Sequence, residues 1–244
     1  MSDPSDTVSD LRRHTGARMT IHRPGLPEDL PTGEALWARW ALRAAVGTTT
    51  EDEQRRSGYR TGVWIDAEGL HWDDSGCTWW TMSRMGEGRF VLYGEDESSE
   101  VKWHEPPIDM LAGGPEWLPY DELRDRLEGN ELGCVYWYEH GTWARATYPD
   151  DLGDDGLDCG MSDFVDRDRA VGDLSDRIDA TTDGPGADTL LTAAEAHRLE
   201  PGLLLERLRP TDPDGEPLDL PAVARALVLA GLTAPATAPG PTPS

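Results

Sequence analysis

The chain has 244 residues, a formal net charge of −25 and a mean hydropathy of −0.58. A field of that sign repels nucleic-acid phosphates and anionic lipid surfaces, and it draws in basic proteins, cationic ligands or metal ions. The length suits one large domain, or one domain with an appendage. The N-terminus lacks the apolar region of a signal peptide, and no apolar window is long enough to span a bilayer. Three cysteines at wide spacing, Cys77, Cys134 and Cys159, fit the reduced thiols of a cytoplasmic protein better than a disulfide framework. The basic residues are arginines but for Lys102, and Ala, Gly, Pro and Asp abound, a composition expected of a GC-rich bacterial genome.

Residues 1–18 are polar and aperiodic and read as a leader. Gly33–Val46 is the first strong element. Leu36, Trp37, Trp40, Ala41 and Ala44 form one apolar stripe, with Arg39 and Arg43 on another side. Thr32 is placed to cap this helix and Gly47 to end it. From there the pattern changes to short strands. Gly62–Asp66, Leu70–Asp73, Thr78–Met82 and Arg89–Tyr93 alternate with turns at Asp66–Gly69, Asp73–Gly76 and Met85–Gly88, which predicts an antiparallel meander. An acidic loop over 94–105 precedes Pro106-Pro107, and a short helix is expected after it. Pro119–Glu128 predicts a further helix with Tyr120, Leu123 and Leu127 on its apolar face. Leu132–Tyr138 and Thr142–Thr147 read as a hairpin turning at Glu139-His140-Gly141.

Beyond Tyr148 the composition shifts. Residues 149–188 hold thirteen Asp, no Glu and three Arg, and this window reads as a linker or a loosely packed helical segment. Asp188–Leu199 and Leu218–Leu232 are expected helices, the second with a clean apolar face at Leu220, Val223, Ala224, Leu227 and Val228. Residues 233–244 read as a disordered tail. The expected organisation is an α+β core over 19–160, with an antiparallel Trp-rich sheet covered by helices. A small acidic helical extension over 161–232 follows it.

All ten tryptophans lie between Trp37 and Trp143. Successive side chains on a strand point to opposite faces. Trp79 and Trp80 therefore require two apolar faces on one sheet, as do Val91-Leu92 and Tyr136-Trp137-Tyr138. Either helices cover both faces, or one face stays open as an aromatic platform.

Candidate chemistry is sparse. No nucleophile elbow, zinc-protease helix, phosphate loop or dinucleotide loop occurs. Asp151-Leu-Gly-Asp-Asp-Gly156 lacks the later ligands of a calcium loop, and the cysteines read as small buried residues. No catalytic residue, metal ligand or cofactor is assigned. The sharpest surface feature is the run Glu95, Asp96, Glu97 and Glu100 beside Trp103 and Trp117, the aromatic-anchor and charged-rim composition of a protein interface. The leading expectation is a cytoplasmic binding protein, of the immunity or antitoxin kind, that engages a basic partner protein. The alternative is a small-molecule binder or enzyme with an aromatic pocket built from His71, Trp72, Trp79, His104 and Trp143. A second alternative, DNA mimicry, needs acids in a regular row, and here they cluster in loops.

Overall fold

The structure is a computed structural model that describes residues 20–48, 60–179, 183–209 and 218–233. The leader at 1–18 and, apart from Thr233, the tail at 233–244 lie outside the described residues. Six strands form one antiparallel sheet in the order of the chain: β1 (Gly62–Ile65), β2 (Leu70–Asp73), β3 (Trp79–Arg84), β4 (Phe90–Glu95), β5 (Cys134–Glu139) and β6 (Thr142–Arg145). Each neighbouring pair is antiparallel, so the expected meander and hairpin join into a single sheet. The turns do what their residues predict. Asp66 folds back on itself, its Oδ1 accepting from the amides of Glu68 (3.0 Å) and Gly69 (3.3 Å). The last hairpin turns on two residues, His140 (φ 52°) and Gly141 (φ 84°), both in the left-handed region that matches the twist of the flanking strands.

Strand alternation then divides the side chains into two cores. Leu70, Trp80, Met82, Phe90, Leu92, Cys134, Tyr136 and Tyr138 face one way. Val91, Tyr93, Val135 and Trp137 face the other, with Trp79 packed against them. Trp79 and Trp80 do point apart, and both faces are buried against other elements. The smaller core is closed by α2 (Tyr120–Glu128) through Leu123, and by the connections carrying Val101, Met110, Leu111, Leu118, Tyr148 and Leu152. The short helix expected after Pro107 forms turns instead.

The larger core is built on α1 (Gly33–Val46), which has the bounds its periodicity predicts. Thr32 Oγ1 accepts from the Ala35 amide (3.3 Å), and the Gly47 amide bonds back to the last turn. Its surroundings differ from the sequence reading. The helix is buried on nearly every side, with the sheet on one flank and the C-terminal helices on the other. Those helices are α3 (Asp158–Val165), α4 (Arg167–Arg177), α5 (Ala187–Glu195), α6 (Pro201–Leu205) and α7 (Leu220–Leu229). The Asp-rich window forms α3 and α4, and Phe164, Val165 and Leu174 join the same core as α1 and the sheet. Helices α3 to α7 thus pack as a layer of that core.

Burying α1 this way places Arg39, which lies off the apolar stripe, at 8 % exposure. It is matched there: Nε donates to Glu195 Oε1 (2.7 Å) and Nη1 to Val165 O (2.6 Å). A second fastening ties α1 to the end of α7, since Trp37 Nε1 donates to Ala230 O at 2.9 Å. The break within α3 is also explained. Cys159 and Gly160 leave helical geometry, Trp80 Nε1 donates to Cys159 O (2.8 Å), and the Trp72 ring lies so close to Gly160 that a β-carbon there would sit 1.9 Å from Cζ3. Only glycine fits, at φ 80°.

Removing one partner of a buried ion pair leaves an uncompensated charge. Glu195→Ala is therefore expected to destabilise the protein by about 3 kcal/mol in urea unfolding, whereas Arg39→Met combined with Glu195→Leu costs clearly less. A loss below about 0.5 kcal/mol for Glu195→Ala, the range of an exposed pair, would show that this contact is not part of the core.

Candidate functional site

The helices leave two aromatic places accessible. The first is the corner of the sheet over β1 and β2, on the face of the smaller core. There Trp64 and His71 are cross-strand partners, and their rings stack at 5.0 Å between centroids. His71 Nδ1 lies 3.1 Å from Thr81 Oγ1, and Nε2 lies 3.0 Å from Asp66 Oδ1. Trp64 Nε1 donates to Asp66 Oδ2 (3.2 Å), and the Arg60 guanidinium covers the outer side of the Trp64 ring. Burial pushes the Asp66 carboxyl up, but His71, the Glu68 amide and Trp64 outweigh it and hold it below the ordinary value. Asp66, Glu68 and His71 bring one ligand atom each within 4.8 Å of one another, so these residues could hold a metal ion. Asp66 already satisfies His71, Trp64 and two backbone amides, however, and a cation would compete with all of them.

The second place is the loop after β4. Asp96 turns inward, accepting from Thr78 Oγ1 (2.5 Å) and the Ser98 amide (2.9 Å), while Ser99 Oγ donates to Gly133 O (3.1 Å). Val101 is buried beneath. These anchors fix a single 3-10 turn, Val101–Trp103, and leave Trp103 on its outer side at 66 % exposure. Trp103 is the one exposed ring of the ten tryptophans, all of which are described. Glu100 stitches the loop to its neighbour, its amide donating to Asp154 O (3.0 Å) and its Oε2 accepting from the Gly153 amide (2.9 Å). The two basic groups nearby are each tied to a carboxylate. Lys102, whose ammonium lies 5.3 Å from the Trp103 ring centroid, bonds Glu95. His104 bonds Pro106 O (2.8 Å) and Asp151 (3.1 Å), and these two partners, in that order, raise its imidazole above the ordinary value. Exposed around them are Glu97, Glu100, Glu105, Asp150 and Asp151. The surface is a fixed aromatic ring within an acidic field.

The residues singled out from the sequence separate on this structure. Glu95, Glu97, Glu100 and Trp103 share the loop. Asp96 does not belong with them, because its carboxylate is buried and spent on holding the loop. Trp117 lies at the opposite end of the sheet, its Nε1 donating to Glu139 Oε2 (2.8 Å). Glu139 is five residues along β5 from the Cys134 end where the acidic loop begins, roughly 17 Å at the rise of a strand. The five pocket residues do not converge. Trp72 and Trp143 pack on the larger core from β2 and β6, His71 and Trp79 point to the other face, and His104 sits in the loop beside Asp151. Sequence reasoning missed Asp66 and Glu68, which read only as turn residues, and it weighed Asp151 only as part of a calcium loop, not as the partner of His104.

Thiol chemistry finds no support either. Burial first, and then Asp96, push the Cys159 thiol up to about 11, burial raises Cys134, and Glu97 raises Cys77. Each thiol stays protonated at neutral pH, whereas the thiolate is the nucleophile.

A single exposed ring makes a sharp optical expectation. Acrylamide should quench a red-shifted fraction of the tryptophan emission in the wild type, and Trp103→Phe should abolish that fraction while leaving the unfolding midpoint unchanged. An equal accessible fraction in the variant would place the exposed ring elsewhere. Compared with protein-family models, curated proteins and solved structures, the chain matches none, and its function must be read from the chemistry of its own surface.

Proposed function

We propose that the chain is an acidic protein-binding protein whose Trp103 surface docks a basic partner protein in a bacterial cytoplasm, as immunity and antitoxin proteins mask a cationic toxin. The observation that carries this reading is the exposure of Trp103 on a turn fastened from three sides. Large exposed aromatics are costly to leave in water, and rigid aromatic anchors ringed by polar groups are the residues that dominate binding energy at interfaces. The acidic surroundings supply the rest. With Lys102 and His104 neutralised by their own carboxylates, the remaining acids are free to meet arginine or lysine and to steer a basic protein toward the ring. The face of the Trp103 ring suits a cation as well as an apolar side chain.

The test is affinity capture from the native host with wild type and Trp103→Ala in parallel, at low and high salt, followed by titration of the captured protein. A basic protein should be retained at low salt and released as ionic strength rises past the range where exposed charges are screened. Trp103→Ala should weaken its binding about 30-fold, the effect of removing an interface hot spot worth about 2 kcal/mol. Equal capture by both proteins, or capture indifferent to salt, would refute this assignment of the surface.

A further inference from the structure

Residues 21–31 pack against β6 and are fastened there by side chains of the sheet. Trp143 Nε1 donates to Pro31 O at 2.6 Å, and Arg145 Nε donates to Gly25 O at 2.9 Å. Between this segment and β5 lies Asp155, 1 % exposed, three residues before α3. Its Oδ1 accepts from the amides of Gly25 (2.9 Å) and Leu157 (3.3 Å). Its Oδ2 lies 2.7 Å from the Tyr136 hydroxyl oxygen, which in turn lies 2.8 Å from Gly25 O.

The last two contacts are between oxygens, and each needs a proton between its atoms. A carbonyl has none, a phenol has one and an ionised carboxylate has none. With Asp155 ionised, one proton would serve two contacts, and one oxygen pair would meet lone pair to lone pair in a buried place. We infer that Asp155 is a neutral carboxylic acid in the folded protein, its Oδ2 proton completing a ring with Tyr136 and Gly25 that acts as a pH-sensitive latch on residues 21–31. Asp155 Oδ2–H donates to Tyr136, Tyr136 donates to Gly25 O, and the Gly25 amide returns to Asp155 Oδ1. The split of donors supports this assignment, since Oδ1 meets only N–H groups and Oδ2 meets only an oxygen.

The groups around it are few. Among the described residues, Arg145 of β6 is the cation whose charge favours the ionised form, and its donors are directed to Gly25 O and Ala146 O while its guanidinium stacks 3.8 Å over the Tyr148 ring. Cys134 and Tyr148 are buried beside it and stay protonated. Asp154 and Asp158 share the single charge of Arg23, which leaves one net negative charge outside Asp155. Burial pushes the Asp155 carboxyl up, against the hydrogen bonds of Tyr136, Gly25 and Leu157 and the charge of Arg145.

The sign follows from linkage. The open segment lets Asp155 ionise at its ordinary value, whereas the closed one holds the proton. The latch is therefore tightest at low pH and loosens as pH rises, until Asp155 titrates in place. Over that window the opening equilibrium at the Gly25 amide, read as hydrogen exchange corrected for intrinsic chemistry, should rise about tenfold per pH unit and then level off. Asp155→Asn supplies an amide donor where the acid proton sits and a carbonyl where Oδ1 sits. It should fold, keep the ring and remove the pH dependence. In the full-length wild type, the Asp155 Cγ resonance should have the shift of a protonated acid near pH 6, about two units above the ordinary aspartate value. A carboxylate shift at that pH would overturn the inference. So would Gly25 protection that does not change with pH in the wild type, or that changes equally in Asp155→Asn.

Discussion

The burial of α1 on nearly every side is the constraint on which the rest of the structure depends. A helix with two tryptophans and a run of alanines, leucines and valine cannot be left half in water. The sheet covers one flank, and the other needs a second layer of helices. That layer comes from a stretch of chain poor in aromatics and rich in aspartate, so its docking rests on small apolar contacts and on satisfied polar ones. Arg39 is the most demanding of these. Enclosed between layers, it needs both the Glu195 carboxylate and the Val165 carbonyl, and these two residues belong to α5 and α3. One arginine of α1 thus ties together two helices that sequence alone would not pair.

Much of the fold was legible because it is local. Helix α1, its cap and its end follow from 3.6-residue periodicity and from Thr32 and Gly47. The strands follow from β-branched and aromatic runs broken by Asp- and Gly-bearing turns. The opposite orientation of Trp79 and Trp80 needed only the two-residue repeat. What was not legible depends on contacts across the chain. Arg39 and Arg43 look alike on a helical projection, and only packing buries the first more deeply. Residues 158–177 look too acidic to pack, yet their aspartates cap, pair or face outward while Met161, Phe164, Val165 and Leu174 turn in.

The candidate surface divides in the same way. That an acidic loop with a tryptophan would form a surface was readable. Which acids stay outside was not, because Asp96 and Glu97 are adjacent and only the hydrogen bonds to Thr78 and Ser98 draw Asp96 inward. The aromatic pocket imagined from five residues failed for a sheet reason: residues one apart on a strand cannot line the same cavity, and β2 and β6 are four strands apart. The acids themselves serve three ends. Some, like Asp66 and Asp155, organise turns and segments from within. Some pair with the scarce arginines. Others, among them Glu97, Glu100 and Glu105, lie exposed around Trp103.

The order of the strands has a consequence for how this chain is made. Every strand pairs with the one before it, so the whole sheet can form from contacts between consecutive strands as soon as residue 145 has emerged from the ribosome. Helix α1 precedes the sheet in the chain, yet one of its contacts, Trp37 with Ala230, spans 193 residues. During synthesis this helix, with its two tryptophans, must therefore wait, resting on a finished sheet with its outer flank bare, until α7 arrives. At an elongation rate of about 5–20 residues per second that wait is on the order of ten seconds.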